Sequence, residues 1–212
     1  MIILDVETTS LDKHTCVLSI GGVNFNPNKP VEHLRNASTF HVHVQLLGQV
    51  KSGRVFDEGT IKWLNGQEPA VVENAYKSAY SKVDLKEACT RLIGWLNECS
   101  GFDGNVHVRG VDFEGSIIPD MMRQHKLRCP ITFAGYNDIR TLIRDYVDKT
   151  SSYIEVADMS PEAQELMKPL VKHIALDDCM IDAIQIIEGR RIRDERVIGK
   201  YLEMQQCPTS EG

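Results

Sequence analysis

Two acidic residues, Asp5 and Glu7, follow an apolar run at the start of the chain and precede Thr8 and Thr9. In a β-strand, positions i and i+2 point to the same face, so the two carboxylates would leave the strand side by side. Like charges at that distance repel each other, and their burial is unfavourable. Acids at a strand end often simply face solvent. A divalent cation such as Mg²⁺, which binds a few carboxylates and keeps its waters, would also explain the pair.

A histidine and an aspartate, His173 and Asp178, stand five residues apart at the entry to a predicted helix, Asp177–Glu188. A histidine near a helix start is usually a packing or capping residue, and an aspartate in a first turn is favoured by the helix dipole. The same two side chains could also act as a general base and a metal ligand. Taken alone, this spacing is a weak functional signal.

A second pair of acids, Asp112 and Glu114, lies where a predicted strand runs into a predicted helix. Both could be first-turn acids that the helix dipole stabilises. Trp63, within the segment Thr60–Ala70, has two interpretations as well. Its indole could pack in the core, or it could form a platform on which a nucleic-acid base stacks.

The hydrophobic periodicity defines the elements that must position these residues. Three strands within the first 45 residues indicate an antiparallel meander, and helix–strand units follow. The pattern predicts one α/β domain with a five-stranded mixed sheet flanked by helices. The expected strands are Met1–Val6, Cys16–Phe25, Ser38–Val44, Val106–Arg109 and Ile131–Ala134. The expected helices are Asp57–Leu64, Pro69–Tyr80, Asp84–Cys99, Phe113–His125, Asn137–Val147, Asp177–Glu188 and Arg191–Gln205, with a flexible loop at Lys149–Met167.

Composition and charge bound the classes of function. The 212 residues carry a net charge of −6, which by itself argues against a nucleic-acid binder. The first residues do not resemble a signal peptide, and no apolar stretch is long enough to span a membrane, so we expect a cytoplasmic protein without a membrane partner. The cysteines show no metal-binding spacing, and free thiols are expected. They are Cys16, Cys89, Cys99, Cys129, Cys179 and Cys207.

Together, these segments resemble the histidine subclass of the DEDD superfamily of 3′→5′ exonucleases, which have an RNase H-like fold. The likeness is closer to the phage DexA-type, exodeoxyribonuclease VIII-like and Rv2179c-like exonucleases. It implies an exonuclease domain over residues 1–190, with 191–212 as a C-terminal helix and tail of the same domain, in a bacterial cytoplasm or a phage-infected cell. The resemblance is carried by Leu4–Thr9, Thr60–Ala70, Arg109–Arg123, Phe133–Thr141 and His173–Cys179.

The resemblance implies hydrolysis that depends on two divalent cations, Mg²⁺ or Mn²⁺, and releases nucleoside 5′-monophosphates. In this interpretation His173 is the general base. It also implies that Thr8 and Leu11 contact the terminal nucleotide, and that Trp63 and Arg140 bind substrate. The implied metal ligands are Asp5, Glu7, Glu114 and Asp178.

One position departs from the family pattern. Where the family has Phe followed by Asp, this chain has Phe113 followed by Glu114. The added methylene extends the reach of the carboxylate by roughly 1.5 Å. Because Mg²⁺ requires near-octahedral geometry, the change could weaken one metal site or favour Mn²⁺. Asp112 is the alternative ligand, although it is two residues away along the helix start.

Three functions remain open at this stage. The phage-type likeness favours single-stranded DNA as the substrate, and the same chemistry on RNA is the alternative. A nuclease-deficient binding module, with Glu114 as the mark of lost catalysis, is the third. The resemblance is also compatible with a homodimer, whose interface the segment Arg191–Gln205 could form. The four implied ligands contribute four of the net negative charges, so bound cations would remove the electrostatic objection to nucleic acid.

Overall fold

A computed structural model describes residues 1–147 and 151–206. The chain forms a five-stranded mixed sheet, as expected from the periodicity. The strands are β1 (Ile2–Thr8), β2 (Val17–Asn24), β3 (Ser38–His43), β4 (Val106–Val108) and β5 (Tyr136–Asp138). Their order in the sheet is β3-β2-β1-β4-β5. The pairs β1–β2 and β2–β3 are antiparallel, which confirms the meander, whereas β1–β4 and β4–β5 are parallel.

Helices cover both faces of this sheet. They are α1 (Leu46–Lys51), α2 (Glu58–Leu64), α3 (Pro69–Tyr80), α4 (Leu85–Glu98), α5 (Val111–Gln124), α6 (Ile139–Val147), α7 (Pro161–Met167) and α8 (Ala175–Gln206). Short 3₁₀ turns occur at Val31–Asn36 and Val156–Asp158. In the described part of the chain, no helix is long and apolar enough to cross a membrane.

The central strand β1 is apolar almost throughout because both of its faces are buried. Ile2, Leu4 and Val6 point to one face and belong to a core cluster with residues of α4 and α5. Ile3 points to the other face and belongs to a second cluster with residues of α6 and α8. Alternate residues of a strand therefore supply two cores, as in sheets covered on both sides.

The fifth strand lies at Tyr136–Asp138, so the prediction of Ile131–Ala134 was wrong. The segment before it turns instead. The Thr132 N–H donates to the Gly104 carbonyl at 3.0 Å, and the Gly135 N–H donates to the Thr132 carbonyl at 2.9 Å. Ile131 packs into the core, whereas the Phe133 side chain is fully exposed, so the run does not bury alternate residues as a strand would.

The C-terminal region also differs from the prediction. The two expected helices form one continuous helix, α8, through Gly189. A Cβ at this glycine would lie 3.1 Å from the Tyr146 side chain, so the residue serves close packing rather than helix termination. The expected loop contains α7, where the Ser160 hydroxyl accepts from the Ala163 N–H. Residues 148–150 and 207–212, with Cys207, lie outside the described residues; the described cysteines are free.

The first turn of α8 meets the sheet at Gly21 of β2, the residue that pairs with Asp5 of β1. A Cβ at Gly21 would lie 2.3 Å from the backbone carbon and oxygen of Ala175. The helix therefore approaches the strand backbone more closely than any side chain would allow. This contact sets the distance between the first turn of α8 and the strand that carries Asp5.

We predict that Gly21→Ala lowers the melting temperature more than Gly22→Ala does. The first change drives a methyl group into helix backbone, which we expect to destabilise the fold by about 1–3 kcal/mol or more, at roughly 2–4 °C for each kcal/mol. The added methyl group at Gly22 meets the Trp95 ring at 2.9 Å, and that side chain can shift. Thermal unfolding of the two variants tests the contact, and equal melting temperatures would contradict it.

Candidate active site

One pocket of about 340 Å³ is lined by five carboxylates, and four of them are the implied metal ligands, which come from three elements. Asp5 and Glu7 lie at the end of β1, Glu114 in the first turn of α5 and Asp178 in the first turn of α8. The structure therefore brings together all four acids that the sequence singled out. The pocket opens where the central strand ends, between the starts of the two helices.

The electrostatics of this cluster are unfavourable without a counter-charge. Burial, together with the nearby charges of Asp178 and Glu114, raises the pKa of Glu7 to about 7. Burial likewise raises the pKa of Glu114 to about 7 and that of Asp178 to about 6. The pKa of Asp5 is raised well above its usual range, first by burial and then by the surrounding acids. The site holds more negative charge than its own residues neutralise.

The donor set fits divalent cations. The Oδ2 atom of Asp5 is buried and has no hydrogen-bond partner among the described residues. Such an atom is unfavourable unless something absent from the chain binds it. Glu7, His173 and Asp178 each offer a ligand atom within 4.8 Å of the others. Oxygen-rich sites of this kind suit Mg²⁺ and Mn²⁺.

His173 is held at the rim of the pocket by two contacts. Its backbone has a positive φ of 66°, which non-glycine residues rarely adopt. In that conformation its N–H donates to the Asp178 carboxylate at 2.9 Å. The exposed imidazole packs edge-to-face on Trp63, with 5.1 Å between ring centroids. The ring can therefore reach a ligand in the pocket while its backbone stays fixed to a candidate metal ligand.

The geometry distinguishes Glu114 from Asp112. Glu114 is buried and lines the pocket, whereas Asp112 is exposed and lines a different cavity. The longer side chain also reaches back along its own helix, where a carboxylate oxygen accepts from the Gly110 N–H at 3.1 Å. This hydrogen bond uses the added methylene and caps the start of α5.

The four residues expected to bind substrate differ in their surroundings. Trp63 is about half exposed, so the core-packing alternative does not describe it. Leu11 is 86% exposed, and the Thr8 hydroxyl donates to the Ser10 carbonyl. Arg140 lines the pocket and forms an ion pair with Asp138.

Sequence reasoning assigned no role in this pocket to Asp182, Tyr153 or Lys172, although all three line it. Asp182 is buried and forms an ion pair with Arg109, whose guanidinium lies 3.9 Å from the centroid of the Tyr153 ring. The polar spacing on α8, one turn after Asp178, was a signal for the first of these residues. Tyr153 and Lys172 lie outside regular elements, where periodicity gives no signal.

The fold is that of the DEDDh nucleases, which confirms the expected RNase H-like class. The structure superposes on that of cell-death related nuclease 4 (CRN-4) with a TM-score of 0.57 and 16% identity, covering 91% of this chain and 63% of that one. It also superposes on the nuclease domain of 3′hExo, a DEDDh family member bound to rAMP, with a TM-score of 0.56, 15% identity and 91% of both chains covered. The chain thus spans less than two thirds of the CRN-4 chain.

The family follows from the sequence match. The model of the 3′-5′ exoribonuclease Rv2179c-like domain matches residues 1–187. The chain therefore belongs to the Rv2179c-like family, as the resemblance implied. No curated protein matches it.

The raised pKa values predict how stability depends on pH. In EDTA, protonation of these acids stabilises the folded state. This stabilisation is complete below about pH 4, where free carboxyl groups are also protonated. This stabilisation is lost as the pH rises through about 6 for Asp178 and about 7 for Glu7 and Glu114. The melting temperature in EDTA should therefore fall between pH 5 and 8. Mg²⁺ at pH 8 should restore it by about 5 °C or more.

The matched variant is Glu7→Gln, which removes one acid from the cluster and keeps the side-chain shape. Its melting temperature in EDTA should depend less on pH, and Mg²⁺ should raise it less. A wild-type protein whose stability neither falls with pH in EDTA nor responds to Mg²⁺ would show that the carboxylates do not form a cation site.

Proposed function

We propose that the chain removes nucleotides from the 3′ end of a single-stranded nucleic acid by metal-dependent hydrolysis. The observation that carries the proposal is the convergence of four carboxylates and His173 on one pocket, with an unpartnered buried oxygen on Asp5. The membership of the Rv2179c-like family supports it. The product is a nucleoside 5′-monophosphate.

The proposed metal ligands are Asp5, Glu7, Glu114 and Asp178, which would hold the divalent cations. When bound, Mg²⁺ or Mn²⁺ would supply charge stabilisation at the phosphate and acidify water. The protein contributes the placement of the ligands. Asp178 is fixed by the His173 N–H and Glu114 by the Gly110 N–H, so two of the four carboxylates are oriented before any cation binds.

His173 is the proposed general base. Its imidazole offers a ring nitrogen that can accept a proton, and the fixed backbone and the edge contact with Trp63 limit where the ring can move. As the imidazole takes the proton from water, the oxygen forms a bond to phosphorus and the bond from phosphorus to the 3′ oxygen breaks. The leaving 3′ oxygen, on the preceding nucleotide, takes a proton from solvent water, so the strand is left one nucleotide shorter with a free 3′-hydroxyl.

Four residues are the proposed contacts to the 3′-terminal nucleotide, and one of them, Arg140, lines the pocket. Leu11 is an exposed apolar side chain beyond the end of β1, which suits a wedge against a base. Trp63 offers an exposed aromatic surface beside His173, and Arg140 brings a positive charge to the pocket. The backbone at Thr8 is the proposed partner of the terminal hydroxyl.

Two polymers are candidates. Single-stranded DNA is the first, because the motifs resemble those of phage DexA-type exonucleases. RNA is the second, because the matching family is described as exoribonuclease-like and a structural neighbour is described as bound to rAMP. A protein distinguishes the two through the 2′-hydroxyl.

The proposed setting is the cytoplasm, since the described cysteines are free thiols. A second copy of the chain is the proposed protein partner. The last turns of α8 expose apolar side chains that a dimer would cover, and sedimentation of the purified protein measures this. These side chains are Val197, Ile198, Tyr201 and Leu202.

We predict that 5′-labelled single strands of one polymer are shortened stepwise from the 3′ end in Mg²⁺ or Mn²⁺, and not in EDTA. DNA and RNA of the same sequence are compared on sequencing gels. His173→Asn should lower kcat by about 10²–10⁴-fold, as expected for loss of a general base. Cleavage of neither polymer by the folded wild-type protein would reject the proposed function.

We predict that Glu114→Asp keeps or raises the metal-dependent activity. The shorter side chain restores the family residue, although it gives up the hydrogen bond to Gly110. Asp112→Ala is the matched control and should retain wild-type activity, because Asp112 is exposed and outside the pocket. An inactive Glu114→Asp together with an inactive Asp112→Ala would show that the assigned ligand is wrong.

A further inference from the structure

Three cationic side chains line the acidic pocket, and they differ in their partners. Arg109 is paired with Asp182, and Arg140 is paired with Asp138. Lys172 has no carboxylate partner among the residues that the structure describes. Its ammonium instead lies 5.3 Å from the centroid of the Tyr153 ring. Lys172 is thus the cation in this pocket whose charge no acid directly neutralises.

The contact with Tyr153 positions the ammonium without blocking it. An ammonium at this distance from an aromatic ring is attracted by the electrostatic field of the ring face. Such a contact needs none of the three N–H donors to reach an oxygen atom. Those donors remain available to an anion that enters the pocket.

The backbone of Lys172 is fixed on both sides. The preceding N–H, from Val171, donates to the Asp177 carboxylate at 3.0 Å. The following N–H, from His173, donates to the Asp178 carboxylate at 2.9 Å. Two consecutive aspartates of α8 therefore hold the segment that carries the lysine, directly beside the proposed general base.

Tyr153 is fixed as well, although it lies in a segment without regular structure. The next residue, Ile154, donates its N–H to the buried Gln185 side chain at 2.7 Å and accepts from the same amide at 3.1 Å. The other cation of this cluster, Arg109, lies 3.9 Å from the ring centroid. The segment around Tyr153 is thus hydrogen-bonded to α8, and the Tyr153 ring contacts Arg109, which lines the pocket.

We infer that Lys172, held over Tyr153, donates to the phosphate of the 3′-terminal nucleotide. This inference rests on the proposed function. The substrate is a polyanion that must approach four carboxylates, and Lys172 supplies an uncommitted positive charge in the same pocket as those acids. The phosphate would lie within reach of both the ammonium and the metal ligands. Lys172 and Tyr153 are accordingly residues that position substrate.

The test is the binding of a nucleoside 5′-monophosphate in Mg²⁺, measured by calorimetry. Lys172→Ala should raise the Kd about tenfold, the usual effect of losing a charged hydrogen bond. Lys172→Arg should recover part of the affinity. Lys168→Ala is the matched control, because it removes the same charge from an exposed lysine that is paired with Glu165 outside the pocket. An unchanged Kd for Lys172→Ala overturns the inference.

A second measurement separates a phosphate contact from a structural effect. In a His173→Asn background, Lys172→Ala should make the salt dependence of single-strand binding shallower by about 0.7 in log–log slope, which corresponds to one lost phosphate contact. An unchanged slope contradicts the assignment. Tyr153→Leu should weaken monophosphate binding more than Tyr153→Phe, since only Phe keeps the aromatic face; equal losses would reject the role of the ring.

These outcomes do not depend on catalysis. A wild-type protein that binds the monophosphate through Lys172 but cleaves neither polymer would reject the proposed function and leave the phosphate contact in place. A wild-type protein that cleaves a strand, with an unaltered Kd and salt slope in Lys172→Ala, would keep the function and reject the contact.

Discussion

The polar face of α8 is the constraint on which the site depends. Buried polar groups are unfavourable unless they are hydrogen-bonded, so the polar side chains that α8 turns toward the protein bind segments from elsewhere in the chain. Two of the segments so bound, those that carry His173 and Arg109, meet at the end of β1, because the helix start lies against the backbone of β2 at Gly21. The pairs are Asp178 with His173, Asp182 with Arg109, Gln185 with Ile154 and Glu188 with Ser160.

The same arrangement sets the electrostatics. Arg109 and Asp182 form a pair that is neutral as a unit, so this arginine does not offset the four candidate metal ligands. The energetic balance of the cluster thus depends on what binds to it, and raised pKa values are the expected result in a chain without cations. Functional sites commonly retain this kind of local destabilisation, because removing it would also remove the binding chemistry.

The elements that sequence predicted well are those with strong local patterns. The alternation in β3 and the apolar run of β1 suffice for the meander, and the acid pair in β1 indicates the site. The strand β5 was mislocated because a three-residue strand, Tyr136–Asp138, has no periodicity and forms only by pairing with β4. The sequence does not show which of Glu114 and Asp112 faces the pocket, because that depends on the rotation of α5 about its axis. It does not place Tyr153 at the pocket either, because that position depends on the hydrogen bonds between Ile154 and Gln185. Long-range contacts of this kind leave no local pattern.

The net charge of −6 is consistent with a nucleic-acid substrate once the distribution of charge is considered. Two of the three cationic side chains in the pocket are paired with acids. The unneutralised carboxylates of the pocket lie where divalent cations are proposed to bind. Extended binding along a duplex needs many free lysines and arginines and depends steeply on salt. A pocket with one unpaired ammonium suits a single phosphate at a strand end. Recognition under the proposed function is therefore confined to the terminal nucleotide, and the four proposed metal ligands contribute four of the net negative charges.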